Sequence, residues 1–181
     1  FLASLFQSVT PRTAGFNTID NGILTNGSVL MTIVLMFIGA SPGSTGGGIK
    51  TTTLAILSFA IISMLKGKKD ISVFKRRIPN DNFREASGLV FLAATFIFVI
   101  VMILLIIEPF RFEDIIFEAI SAFGTVGLSR GITPFLSSQG KILITLLMYI
   151  GRVGPLTLIY AFAKKKNYSN INYAEESIAI G

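Results

Sequence analysis

The sequence predicts an all-α membrane protein built from helix, re-entrant loop, helix repeats, with about one and a half copies present. Three observations lead there. Of 181 residues, 51% are hydrophobic and only 14% charged, where a soluble domain carries about 25% charged. Leu89 to Ile107 is a run of nineteen residues in which Thr95 alone is neither aliphatic, aromatic, Met nor Ala; as a helix it spans roughly 28 Å, close to the thickness of a bilayer core. Finally, the chain repeats itself at a constant offset of 112 residues, the mark of a duplicated structural unit.

The composition also removes several classes of function. There is no Cys and no His, so a disulfide framework, a thiolate site and the commonest zinc ligand and general base are all missing. The net charge of +6 does not indicate nucleic acid, because the basic residues sit beside apolar spans and not on a polar face. They read as topology signals.

Taken in order, the first element is a short amphipathic segment ending in the turn Thr13-Ala14-Gly15-Phe16-Asn17. The apolar stretch from Val29 to Leu65 is too long for one straight crossing and is broken from Gly39 to Thr53 by Gly, Ser and Thr. It is expected to cross once, unwound at depth, so residues 1–65 form one unit. The linker 66–86 holds Lys66, Lys68, Lys69, Lys75, Arg76, Arg77 and Arg84. Residues 87–166 then read as a complete helix, loop, helix unit. Its first helix is the Leu89 run, and its middle element, Glu113 to Phe123, reaches only about 16 Å and must enter and return on one side. The turn Thr125-Val126-Gly127-Leu128-Ser129 follows. The last span, Ile142 to Ala163, is interrupted by Gly151, Arg152, Gly154 and Pro155, and the tail opens with Lys164, Lys165 and Lys166 before residues 167–181. Ten of the sixteen basic residues lie in the linker and the tail, which by the positive-inside rule makes both cytoplasmic. The chain shows no signal-peptide pattern and begins at Phe1 in an amphipathic stretch, and it is read as a piece of a longer protein.

At the 112-residue offset, Thr13, Gly15 and Leu24 fall on Thr125, Gly127 and Leu136, and Leu35 to Gly39 fall on Leu147 to Gly151. Irregular backbone at membrane depth is tolerated only where it is buried in protein or lines a water-filled cavity. A repeated loop of this kind therefore points to a permeation path. The second turn contains the Thr-Val-Gly of potassium-channel filters, in which successive carbonyls replace the hydration shell of K⁺. Carbonyls at the end of the half-helix favour a cation, while Glu113 and Asp114 suit its beginning. A glycine that only caps a helix is the plainer reading of one such turn; the matched second turn argues against it.

Three stretches carry a family likeness. Thr10-Pro11-Arg12-Thr13-Ala14-Gly15-Phe16-Asn17-Thr18-Ile19-Asp20, Gly43-Ser44-Thr45-Gly46-Gly47-Gly48-Ile49-Lys50-Thr51-Thr52 and Phe117 to Ser129 together resemble the Trk/Ktr/HKT superfamily of potassium transporters, nearest the bacterial KtrB group of membrane subunits. The resemblance implies potassium-channel-type repeats, four to a chain, of which the third pore loop onward and the fourth repeat are present. It implies K⁺ as the transported ion, a filter formed by Thr13 to Asn17 and Thr125 to Ser129, and a homodimer gated by a cytoplasmic, nucleotide-binding ring of the KtrA type. The missing N-terminal half would complete the pore. No enzymatic activity, organic cofactor or nucleic-acid partner is expected, and coupling to Na⁺ or H⁺ stays open.

The stretch Gly39 to Thr53 invites a phosphate-loop reading, but Ile49 separates the last glycine from Lys50-Thr51, where the pattern needs Lys directly after Gly. A flexible linker would expose backbone to lipid. In the family it resembles, this position is an intramembrane gate loop, here Gly43, Ser44, Thr45, Gly46, Gly47, Gly48 and Lys50. Arg152 falls at the depth of Ala40, and an arginine there is costly unless it faces protein or water. Its donors are expected to brace the freed carbonyls of the loop and to add an electrostatic barrier to K⁺; plain packing is the alternative. Glu118 either ties the half-helix to its scaffold or is solvated, and Lys50 either braces the loop or faces the cytoplasm. The basic linker is expected at anionic lipid headgroups. An ion-coupled secondary transporter is the competing reading, disfavoured because the two copies share one orientation. A nucleotide-binding protein rests only on the glycine near-match.

Overall fold

A computed structural model describes residues 1–68, 70–73 and 76–154; Lys69 and Lys75 of the linker, the second half of the expected last span from Pro155 to Ala163, and the tail with its Lys164–Lys166 cluster lie outside them. Among the described residues, six helices carry the structure: α1 (Leu2–Val9), α2 (Asn26–Phe37), α3 (Thr51–Leu65), α4 (Asn80–Ile107), α5 (Phe112–Gly124) and α6 (Ser138–Val153). Single 3-10 turns at Asn21–Ile23 and Thr133–Phe135 precede α2 and α6. A two-stranded sheet, β1 (Ser72–Val73) with β2 (Arg76–Arg77), pairs antiparallel in the basic linker, Ser72 opposite Arg77 and Val73 opposite Arg76.

The helix α4 is the mast of the fold. Its 28 residues reach about 42 Å at the standard rise, more than the roughly 30 Å of hydrocarbon in a bilayer, and its most apolar window has a mean hydropathy of 3.3. It begins at Asn80, ahead of the apolar run, with residues 80–85 all exposed. Ala93, Ile97, Ile100, Val101 and Leu104 turn inward, while Phe91, Phe98 and Ile106 stay exposed. That is the two-sided apolar pattern of a helix between protein and lipid.

Against this mast packs α5, thirteen residues and about 20 Å long, too short to cross. It is nonetheless the most enclosed element, with every residue from Phe117 to Gly124 buried, and it touches α2, α4 and α6. Apolar burial alone does not hold helices together in lipid, so close backbone approach has to. Small residues allow it: a side chain at Gly151 of α6 would strike the carbonyl oxygen of Phe123.

The 112-residue duplication is visible element by element. The 3-10 turn at Asn21–Ile23 recurs at Thr133–Phe135. Each following helix is capped by a hydroxyl at the same offset, Thr25 accepting from the Ser28 N–H and Ser137 from that of Gly140. Between α2 and α3 the chain leaves the helix at Ile38 and rejoins it at Thr51, so Thr51 to Thr53, expected in the unwound stretch, form the first turn of α3 with Lys50 as its cap. The ends of this Gly-rich segment are pinned together by a parallel bridge between Ile38 and Ile49, in which the Gly39 N–H reaches Ile49 O at 2.8 Å and the Ile49 N–H reaches Phe37 O at 3.2 Å. Unwinding thus leaves a closed loop, with the backbone groups at its neck satisfied.

Candidate functional site

The site grows from the C-terminal end of α5. Thr125 closes that helix in the left-handed conformation at φ 53°, its N–H on Ala122 O, and the Val126 N–H returns to Ser121 O. Left-handed caps are usually glycine; a β-branched residue there is a true outlier. Thr13, its copy at the 112-residue offset, has φ 65°, and these two are the only non-glycine residues with positive φ among those described. Gly15 and Gly127 follow at φ 75° and 89°. Both turns therefore hold the same strained Thr-x-Gly path, and strain of this kind persists only where the surroundings enforce it.

The enforcing contacts differ between the two copies. In the first, the Thr10 hydroxyl donates to Phe16 O at 2.6 Å and accepts the Phe16 N–H at 3.0 Å, closing the turn on itself. In the second, the Glu118 carboxylate, buried in α5, accepts from the hydroxyls of Ser129 and Thr133 and, at 3.3 Å, from the Arg130 N–H. Arg130 is anchored in turn to Asp114, Nε to Oδ1 at 2.7 Å. Glu118 therefore ties the half-helix to its turn and is not a solvated face. Behind them Glu108, at the end of α4, accepts from the N–H and hydroxyl of Ser137, joining α4 to the start of α6.

The two turns meet. Gly15 lies so close to the Val126 carbonyl that any Cβ would collide with it, and Gly127 faces Gly15 at van der Waals range. Side chains of Val126 and Leu128 are buried, Gly127 and Phe16 are exposed, and Ala14 and Asn17 also lie on the open side. The Gly-rich segment sits directly against the start of both turns. Gly46 abuts Thr13, and the Gly47 N–H donates to the Thr125 hydroxyl at 2.7 Å. Two cations hold consecutive carbonyls of the same segment: Arg152 donates from Nη1 to Thr45 O, and Lys50 from Nζ to Gly46 O. Lys50 also reaches Ser44. Gly43 has open space where a side chain would stand.

Arg152 lines two cavities, one of about 430 Å³ that rises past Thr125, Gly127 and Ser129 to Glu118, and one of about 310 Å³ bounded by Ser44 to Gly46, Lys50 and Gly151 to Gly154. Sequence reasoning singled out the two turns, the Gly-rich segment and Arg152, which are all in contact here. It passed over Asn21 and Gln7, although Asn21 and Thr133 occupy matched positions of the duplication and both are polar.

Comparison with known proteins agrees with this architecture. Potassium uptake protein B of the Ktr system of Bacillus subtilis is 44% identical over 179 residues, 99% of this chain but 40% of that protein. The potassium/sodium uptake protein NtpJ of Enterococcus hirae is 43% identical, over 98% of this chain and 41% of its own length. The chain thus spans about two fifths of these relatives. Among solved structures, the potassium transporter TrkH of Vibrio parahaemolyticus superposes with a TM-score of 0.74 at 20% identity, covering 89% of this chain and 36% of that one, which is a likeness of fold. Residues 1–172 match the family described as cation transport proteins. The chain belongs to the TrkH family of membrane cation transport proteins.

Proposed function

We propose that this chain forms part of the pore of a K⁺ uptake subunit in the cytoplasmic membrane, contributing two of its ion-coordinating loops. The observation that carries this is the meeting of two duplicated Thr-x-Gly turns, both on the same strained backbone path, at Gly15 and Val126. Positive φ at Thr and Gly aims successive carbonyls to one side, which suits replacement of a cation's hydration shell. The filter comprises Thr13 to Asn17 and Thr125 to Ser129. The C-terminal end of α5 adds its partial negative charge to the same place.

The segment 39–53, with Gly43 to Gly48 and Lys50, is the gate. Its fit beneath both threonines supports this, since a loop hydrogen-bonded to Thr125 cannot leave the pore axis without disturbing the filter. Arg152 braces the gate and raises the barrier to K⁺. In topology, the linker 66–86 and the tail face the cytoplasm, the linker lying on anionic headgroups. The named relatives are potassium uptake proteins, and NtpJ is a potassium/sodium one, which supports K⁺ as cargo and keeps Na⁺ coupling as the second reading. A homodimer with a cytoplasmic nucleotide-binding ring completes the assembly by family resemblance.

Reconstitution of the complete protein into liposomes tests the filter. Gly127→Asp, which crowds the turn with a charged side chain, is expected to lower K⁺ uptake at least about a hundredfold, a loss of roughly 2.7 kcal/mol at the barrier. Equal uptake by native and variant would reduce Gly127 to a helix cap and remove the site. Uptake that requires Na⁺ on the same side as K⁺ selects the coupled reading.

A further inference from the structure

Asn21 opens the 3-10 turn before α2 and is 1% exposed. Its carboxamide is bonded in three directions. Nδ2 donates to Asn17 Oδ1 at 3.1 Å and to Ser129 O at 3.2 Å, and Oδ1 accepts from Gln7 Nε2 at 3.1 Å. The main-chain carbonyl of Ser129 is an acceptor only, so it fixes which side of the amide carries the hydrogens. Asn17 ends the first turn and Ser129 the second. One buried side chain thus spends one hydrogen on each.

Its copy in the duplication does not do this. Thr133 bonds Ser129 Oγ and Glu118 Oε2, both within its own repeat. The cross-tie exists on one side only and depends on an amide with two hydrogens, which a hydroxyl cannot supply. A polar group this deeply buried costs free energy unless it is fully bonded, so Asn21 is poorly explained as packing.

We propose that Asn21 is a positioning residue that locks the far ends of the two turns together and thereby sets the preference for K⁺ over Na⁺, an inference that rests on reading the turns as ion-coordinating. The bond to Ser129 O fixes the direction of a carbonyl at the far end of the second turn. Discrimination between the two ions depends on the size of the cage and on how many carbonyls surround the ion. Freeing this end lets the cage contract around the smaller ion. The threonine end is held separately, by Gly47, so conduction itself should persist.

The test compares K⁺ and Na⁺ uptake by the complete protein in liposomes, native against Asn21→Leu, which keeps the volume and removes every bond. The K⁺/Na⁺ uptake ratio is expected to fall about three- to tenfold, the range set by losing a hydrogen bond between neutral partners. The loss should appear as a raised KM for K⁺ with the maximal rate within about twofold of native. An unchanged ratio in folded protein overturns the proposal, as does an equal loss of both ions, which is the signature of general damage. Should Asn21→Leu fail to fold, Asn21→Thr decides: it installs the residue type that the copy carries, whose single hydroxyl hydrogen cannot serve both turns, and a smaller fall of the same sign supports the cross-tie, while no change overturns it. A native protein without K⁺ preference fails the reading of the turns first, and this inference with it.

Discussion

At the scale of single residues, Arg152 carries the largest electrostatic consequence. A guanidinium at membrane depth is costly unless it meets acceptors or water; Arg152 is exposed, donates to the Thr45 carbonyl and lines two cavities. With Lys50 on the next carbonyl, the Gly-rich segment is held from two sides by positive charge. A cation passing between the cavities must approach that charge. Arg152→Gln keeps a donor for Thr45 O and removes the charge, so K⁺ uptake into liposomes is expected to rise by about tenfold, the roughly 1.4 kcal/mol of repulsion between unit charges about 12 Å apart at an effective dielectric constant of about 20. Uptake unchanged in amplitude and ion dependence would reduce Arg152 to a packing residue. Its importance was legible in the sequence because a charge at that depth demands a reason. Asn21 was not legible, since an asparagine between polar neighbours looks like any turn residue until the Ser129 carbonyl is found beside it.

At the scale of elements, the duplication predicts where close backbone contact is indispensable. Gly39 and Gly151 are copies, but they serve different neighbours. Gly39 closes the neck of the Gly-rich segment against Gly47, whereas Gly151 lets α6 ride on the backbone of α5. A methyl group at residue 151 meets the Phe123 carbonyl, two residues before the strained Thr125, and neither rigid backbone can yield. Gly151→Ala is therefore expected to cost about 1–3 kcal/mol, read as a lower thermal midpoint of the detergent-solubilised protein, with a smaller K⁺ uptake. A midpoint equal to native would mean that α6 shifts without penalty. The matched turns were legible because glycine and apolar runs repeat at one offset, and the break between α2 and α3 because Gly, Ser and Thr interrupt an apolar stretch. The strand pair in the linker was not, since strands of two residues carry no periodicity. Nor was the polar start of α4 at Asn80, because hydropathy finds the part of a helix that lies in lipid and not where its hydrogen bonding begins.

At the scale of the whole molecule, the two copies differ in how well they are covered. The helix α5 is enclosed by α2, α4 and α6, while α1, its counterpart, buries no residue and exposes Leu2, Leu5, Phe6 and Val9. The duplicated positions of Leu5 and Phe6 are Phe117 and Glu118, both buried. Two half-helices that play one role should be equally enclosed in the assembled pore, because each must keep its backbone and its turn away from lipid. The chain spans about two fifths of its relatives, so the cover for α1 is expected from the rest of such a protein. By contrast Phe91 of α4 is 73% exposed on the face away from the core and should meet lipid. In the complete protein in liposomes, a membrane-soluble carbene photoprobe, which inserts into side chains without needing a thiolate, is expected to label Phe91 at least about tenfold faster than Leu5 by mass spectrometry, as a contact closed to the probe requires an opening of more than about 1.4 kcal/mol. Equal rates would mean that α1 faces lipid, and that the two turns do not stand in equivalent places around one pore.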